Sequence, residues 1–166
     1  MNQILNINQA VETAKILHDK NKTIVLAGGC FDILHIGHMD FLEKAKKRGD
    51  ILFLFLESDE KIKQLKGNQR PIFDQMERAK VLSALKFVDY IILLPEFKKN
   101  EEYDTLIKNI KPNIIAVTKN DPNIKHIKRQ IKLVSAKIAI VNSKIKNVSS
   151  SNILSKIADL WKKFYF

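Results

Sequence analysis

A single cysteine, Cys30, in a chain of 166 residues excludes an intramolecular disulfide and a cysteine-based metal cluster. Five glycines and four prolines are too few for a collagen-like or low-complexity chain. Long apolar runs are also missing: even Ile51–Leu56 falls far short of the roughly 20 residues needed to span a membrane. The opening Met-Asn-Gln-Ile-Leu-Asn-Ile-Asn has no basic stretch followed by an apolar one. It does not read as a secretory signal, and the expected location is the cytoplasm. Acidic residues are scarce in one region only. Between positions 105 and 166 there are 13 Lys and Arg against Asp121 and Asp159, so the net charge of +11 sits in the last third and the first 104 residues are balanced. A positive field of that kind suits nucleotides, phosphorylated substrates, nucleic acid or anionic lipid. It is equally what a lysine-rich solvated surface produces.

What the chain does contain is an ordinary globular mixture, 45% hydrophobic and 28% charged, which argues against disorder and coiled coil. A chain of this length buries about 70% of its unfolded surface, so a single domain over 1–166 needs no staple. Short, largely apolar runs, that at 23–27 continuously apolar and β-branched, predict five strands over 23–27, 51–56, 88–94, 113–117 and 137–141. Between and around them, 3.6-residue periodicity predicts helices over 8–20, 35–48, 59–65, 74–85, 101–110, 122–133 and 151–164. Asn8 is the expected cap of the first helix; Asp74 with Glu77 forms a capping-box pattern at the fourth. Strands alternating with helices specify an α/β fold: a Rossmann-like, doubly wound, mostly parallel five-stranded sheet with helices on both faces. Ligands bind such sheets beyond the carboxyl ends of the strands, where the winding reverses.

The segment after the 23–27 strand is the most informative: Gly29-Cys30-Phe31-Asp32-Ile33-Leu34-His35-Ile36-Gly37-His38. His35 and His38, three apart at the opening of a helix, share a side with its unpaired N–H groups and the positive end of its dipole. Gly37 lets a phosphate approach closely. The pattern suits an anion site with two extra donors. It equally suits two histidines that cap or pack, whereas helical zinc pairs favour i,i+4 spacing. Ser149, Ser150 and Ser151 open the last helix, as a second anion site or an ordinary serine cap. Arg70 and Arg78 can grip phosphate bidentately, or Arg78 can pair on the surface with Glu77 or Asp74. Asp32 can take a substrate hydroxyl, contribute to holding a metal, or bond its own loop backbone. Asp59 divides between substrate contact and helix capping.

The ten-residue string resembles the signature GxFDxxHxGH of the cytidylyltransferase-like nucleotidyltransferases, with every specified position present. Further segments resemble the same family: Ser58-Asp59, Lys46 within Ala45-Lys46-x-x-Gly49-Asp50, Glu77-Arg78, and Val148-Ser149-Ser150-Ser151-Asn152-Ile153 beside the second signature ISTTxI. Leu65-Lys66-Gly67-x-x-Arg70-Pro71-Ile72 resembles a loop of the branch that adenylylates heptose 1-phosphate. Gly28 and Thr118-Lys119-Asn120-Asp121 depart from that branch, which carries Asn and a Lys-Gly-Gly-Asp-like segment there.

The resemblance implies catalytic roles for His35, His38, Lys46 and Arg78. It implies nucleotide contacts from Gly29, Cys30, Phe31, Gly37, Val117, Lys119, Val148, Ser149, Ser150 and Ser151, and substrate contacts from Asp32, Asp59, Lys66 and Arg70. Mg²⁺ is the implied cofactor, held mainly by the triphosphate with Asp32 as the one protein candidate. The expected reaction moves a nucleotidyl group from an NTP, ATP favoured, to a heptose-like sugar 1-phosphate and releases pyrophosphate. CTP with glycerol 3-phosphate or another polyol phosphate is the second choice and adenylylation of FMN the third. A non-catalytic nucleotide- or nucleic-acid-binding protein using the basic last third is the alternative of a different class. Family members of this kind are commonly homodimers or larger. Lys119, Lys125, Lys144 and Lys146 are expected to flank the cleft. The tail Leu160-Trp161-Lys162-Lys163-Phe164-Tyr165-Phe166 is expected either to dock on the core or a second subunit, or to serve nucleotide or nucleic-acid binding.

Overall fold

The computed structural model describes residues 3–142 and 148–165, so Lys144 and Lys146 lie outside the described residues. In chain order the elements are β1 Gln3–Leu5, α1 Ile7–Asp19, β2 Ile24–Gly29, α2 Ile36–Lys46, β3 Ile51–Leu56, α3 Asp59–Lys66 and α4 Gln75–Ser83. There follow β4 Tyr90–Leu93, α5 Asn100–Ile110, β5 Ile114–Thr118, α6 Ile124–Val134, β6 Lys137–Asn142 and α7 Ser150–Tyr165. Among the described residues the sheet has six strands, one more than the pattern predicted, in the order β1-β4-β3-β2-β5-β6. All five pairings are parallel. The added strand, β1, is a three-residue edge strand beside β4, too short to carry a periodic signal. It also moves the first helix cap. Asn6, two residues before Asn8, accepts from Gln9 N–H at 3.0 Å while the Gln9 side chain returns to Asn6 N–H, a complete capping box. The box at Asp74 and Glu77 forms as the spacing predicts.

The central strands are buried on both faces, which is why they read as unbroken apolar runs. One core cluster joins Leu26, Phe53, Phe55, Ile115 and Val117 to residues of α1 and α5. The other joins Val25, Ala27, Leu52, Leu54 and Ala116 to Phe41, Leu42 and Ala45 of α2 and to Ala79 and Leu82 of α4. Residues alternate between the two clusters along each strand, so one helical layer covers each face. From β2 the chain winds outward through β3 to β4 on one side, then crosses to β5 and β6 on the other. The reversal falls between β2 and β5, and there the carboxyl ends Gly28-Gly29 and Val117-Thr118 open a crevice. The pairing of β5 with β6 shifts register between Val117 and Thr118, re-aiming the backbone at the edge of that crevice.

Of the aromatic tail, Leu160, Trp161 and Phe164 are more than half exposed and not buried in the core. Among the described residues no helix is long and apolar enough to cross a membrane.

Candidate active site

Beyond β2 the chain turns through Cys30 and Phe31 into α2. Phe31 takes positive φ (46°) yet buries its ring, and a Cβ on Gly29 would meet that ring at 2.9 Å. Glycine at 29 therefore lets the loop double back tightly enough to seat Phe31. Phe31 in turn contacts the His38 ring, centroids 5.2 Å apart. His35 occupies the N-cap of α2 in extended conformation, and His38 lies one turn on. Their rings stack at 3.8 Å with 23° between planes.

Burial and the proximity of His35 and Lys66 push His38 down to about 4; burial, then Lys66, lowers His35. Both imidazoles are therefore neutral at pH 7, each with one N–H to give. Both Nδ1 atoms are buried without a partner among the described residues. The arrangement is two neutral donors at the positive end of a helix, with the Lys66 ammonium close by. An arriving polyanion would favour protonation of both rings.

The start of α7 adjoins this step. Ser150 Oγ donates to Ile33 O at 3.0 Å, and Ser149 Oγ accepts from Asn152 N–H at 3.1 Å as the cap. Residues more than 110 apart in sequence thus bring two helix N-termini to one loop. Ser151 in the first turn of α7 is exposed, Val148 before it is half-buried, Val117 is buried in β5, and Lys119 just past β5 is exposed.

Four sequence assignments need correction. Lys46 ends α2, eleven residues and about 16 Å along the helix from His35. Its ammonium is bound to Asp89 Oδ2 at 2.7 Å and to the Asp50 carbonyl, at the amino ends of β3 and β4, opposite the histidines. It is a strut between α2 and the starts of β3 and β4, and it does not reach the histidines.

Arg78 is only 1% exposed and forms neither a surface pair nor an open phosphate grip. Its guanidinium donates to Phe73 O at 3.1 Å, Cys30 O at 2.6 Å, Glu57 O at 2.9 Å and Asp59 Oδ1 at 2.6 Å. It thereby ties together the loops after β2 and β3 and the starts of α3 and α4. Asp59 is spent on the same network, accepting also from Gln75 N–H at 3.3 Å.

Asp32, 3% exposed, accepts from Ile72 N–H at 2.8 Å, Phe73 N–H at 3.2 Å and Arg70 Nε. With its lone pairs so engaged it does not fit a metal ligand or a substrate base. Among the described residues no group of three His, Cys, Asp or Glu could hold a metal ion, so these residues offer Mg²⁺ no cage. Asp32 fixes the loop between α3 and α4, and with it Arg70. One Arg70 guanidinium nitrogen, Nη2, remains buried without a partner among the described residues. Cys30 lends its carbonyl to Arg78, and burial pushes its thiol up.

Sequence reasoning missed one pair. In the crevice between β2 and β5 lies a cavity of about 290 Å³, lined among others by Gly28, Gly29, Glu57, Lys61, Tyr103 and Gln130. There Tyr103 donates its hydroxyl to Glu57 Oε2 at 2.9 Å. The two are 46 positions apart, and the only signal in the sequence was an acid immediately following a buried strand.

A doubly wound sheet with two helix N-termini meeting at the loop beyond its central strand, and a histidine pair at one of them, defines the class: an α/β nucleotidyltransferase. The cytidylyltransferase-like family model matches residues 26–156, and the chain belongs to that family. It is 46% identical over 102 residues, 61% of its length, to the bifunctional protein HldE of a Nitratiruptor species, covering 21% of that protein. To the bifunctional protein HldE of Campylobacter jejuni subsp. jejuni serotype O:6 it is 37% identical over 159 residues, 92% of this chain and 32% of that one. The chain thus spans under a third of the length of these curated relatives. Among solved structures, the lipopolysaccharide core biosynthesis protein from Thermoplasma volcanium GSS1 superposes with a TM-score of 0.59 at 30% identity, over 73% of this chain and 95% of that one. Pantoate-beta-alanine ligase from Francisella tularensis shares the fold, with a TM-score of 0.63 at 18% identity over 96% of this chain and 80% of that one.

Proposed function

We propose that residues 1–166 act as one nucleotidyltransferase domain that moves an AMP group from ATP to a sugar 1-phosphate of heptose type. An oxygen of the acceptor phosphate bonds to the α-phosphorus, the bridge to the β-phosphorus breaks, and pyrophosphate leaves. A phosphate monoester is already anionic at neutral pH, so no strong base is required; positioning and charge neutralisation supply the rate. The observation that carries this reading is the stacked His35–His38 pair at the α2 N-terminus, joined through Ser150 and Ile33 to the α7 N-terminus. Backbone N–H groups of both helices, the two imidazoles and Lys66 converge where a triphosphate would lie.

Gly29, Cys30, Phe31 and Gly37 supply close backbone. Val117, Lys119, Val148 and Ser151 border the nucleotide, with Lys125 further out. Arg70 Nη2 is the donor for the acceptor phosphate. Lys46, Arg78, Asp32 and Asp59 support these groups without touching substrate. Mg²⁺ would arrive on the triphosphate.

The preference for ATP and a heptose-like acceptor rests on the likeness of the 65–72 loop to the heptose branch and on the curated relatives. A cytoplasmic setting, where NTP is available, follows from the reading. The exposed stripe of Ile157, Leu160 and Phe164 on α7 supports a homodimer or larger assembly, to be measured by light scattering.

The test is pyrophosphate release across four NTPs and a panel of aldose 1-phosphates, glycerol 3-phosphate and FMN. ATP with an aldose 1-phosphate is expected to be fastest. CTP with glycerol 3-phosphate, or ATP with FMN, would reassign the acceptor, and salt-dependent nucleic-acid binding without turnover would favour the binding protein.

A further inference from the structure

The cavity at the crevice is distinct from the histidine step and is differently equipped at its two ends. Its floor is apolar, from Leu26, Ile107 and Ile115. At the β3–α5 end stands Glu57, held at three points. Its N–H donates to Gly29 O at 3.2 Å, its carbonyl accepts from buried Arg78 at 2.9 Å, and its Oε2 accepts from Tyr103 at 2.9 Å. Oε1 makes no hydrogen bond among the described residues, and half-buried Glu57 lines the cavity. Lys61, one helical turn on, lines the same end.

A carboxylate clamped through one oxygen and open at the other is an acceptor for hydroxyl donors. It repels a phosphate. The Tyr103 ring is itself held in place, in a T-shaped contact with Phe97, centroids 4.8 Å apart and 74° between planes. The opposite end, with Val117, Asn123 and Gln130, is where flat amide-reading groups lie. At about 290 Å³ the space is at the small end for ligand pockets, which run from about 300 Å³ upward.

We propose that the β3–α5 end of this cavity binds the hydroxylated carbon body of a sugar, with Glu57 Oε1 accepting hydrogen bonds from its hydroxyls and Tyr103 holding the carboxylate in position. That this sugar is the acceptor of the reaction rests on the proposed nucleotidyl transfer; the binding itself does not. Arg78 then has a second consequence, since it fixes the backbone of the residue that reads the sugar as well as the loop before the histidines.

The experiment is calorimetric titration of wild type, Glu57→Gln and Tyr103→Phe with glucose 1-phosphate, mannose 1-phosphate, a heptose 1-phosphate and, separately, ATP. Glu57→Gln keeps the shape and an oxygen for Tyr103, so the fold is preserved; its unfolding midpoint checks this. The expected result is at least fivefold weaker binding of the best aldose 1-phosphate in Glu57→Gln, about threefold in Tyr103→Phe, and ATP affinity within twofold in both. Equal weakening of ATP would overturn the proposal, as would unchanged sugar binding or failure of every aldose 1-phosphate to bind wild type. If the sugar result holds and pyrophosphate is never released, the site stands and the proposed function falls. If pyrophosphate is released with unchanged acceptor KM in Glu57→Gln, the reverse is true.

Discussion

Replacing Arg78 separates support from catalysis most cleanly. In Arg78→Met the apolar stem is kept and the guanidinium is lost. The carbonyls of Phe73, Cys30 and Glu57 lose their donor, and Asp59 loses its ion pair. Removing one partner of a buried charged network costs about 3–5 kcal/mol. Asp59, about a quarter exposed, recovers some hydration, which places the expected loss at the lower end. Against a total stability of about 5–15 kcal/mol this is a large fraction. With a urea m-value of about 2 kcal/mol/M, the midpoint should fall by about 1.5–2 M. Arg78→Lys keeps the charge but cannot span four acceptors in two directions, and should recover less than half of the loss. The assay is urea unfolding followed by far-UV circular dichroism, with turnover measured on the folded fraction at 10 °C. The reasoning is refuted by an unfolding midpoint equal to wild type accompanied by a hundredfold fall in turnover, because the guanidinium would then be reaching phosphate.

Two other outcomes follow from the same geometry. His38 is depressed in the fold from 6.5 to about 4, so the unfolded chain takes up its proton first. Stability is full above pH 6.5 and declines as pH falls towards 4, by up to about 3 kcal/mol, and His38→Gln should flatten that slope in urea titrations at pH 4.5 and 7.5. Lys46→Met removes the partly exposed bridge to Asp89 at the amino ends of the strands. It should cost about 1 kcal/mol or less in stability and leave kcat and both KM values within twofold; a tenfold loss of kcat would return Lys46 to the active site.

The strands and most helices were legible because burial writes itself as periodicity: β3 carries six consecutive apolar residues and occupies those positions. The ten-residue string after β2 was legible as a loop entering a helix, and His35 and His38 lie together at that helix start. Direction was not legible. Arg78 and Asp32 belong to motifs of the resembling family, yet most of their partners here lie on other loops: Arg78 reaches the Cys30 and Glu57 carbonyls and Asp59, and Asp32 holds Arg70 and the N–H groups of Ile72 and Phe73, pairings across 19 to 48 residues that no local pattern encodes. Lys46 is different, because helix rise alone places it about 16 Å from His35, and that arithmetic was available from the sequence. Glu57 and Tyr103 were beyond reach, since only the winding from β3 to α5 brings them together.

The central claim is that the histidine pair and the two helix starts transfer a nucleotidyl group. It is tested most directly by pyrophosphate release from ATP with an aldose 1-phosphate, comparing wild type with His35→Ala at matched stability. Wild type should turn over well above background, and His35→Ala should lose at least a hundredfold in kcat, as removal of a transition-state donor does. Equal rates in the two proteins, or no pyrophosphate from wild type with any NTP and phosphorylated acceptor in the panel, would contradict it.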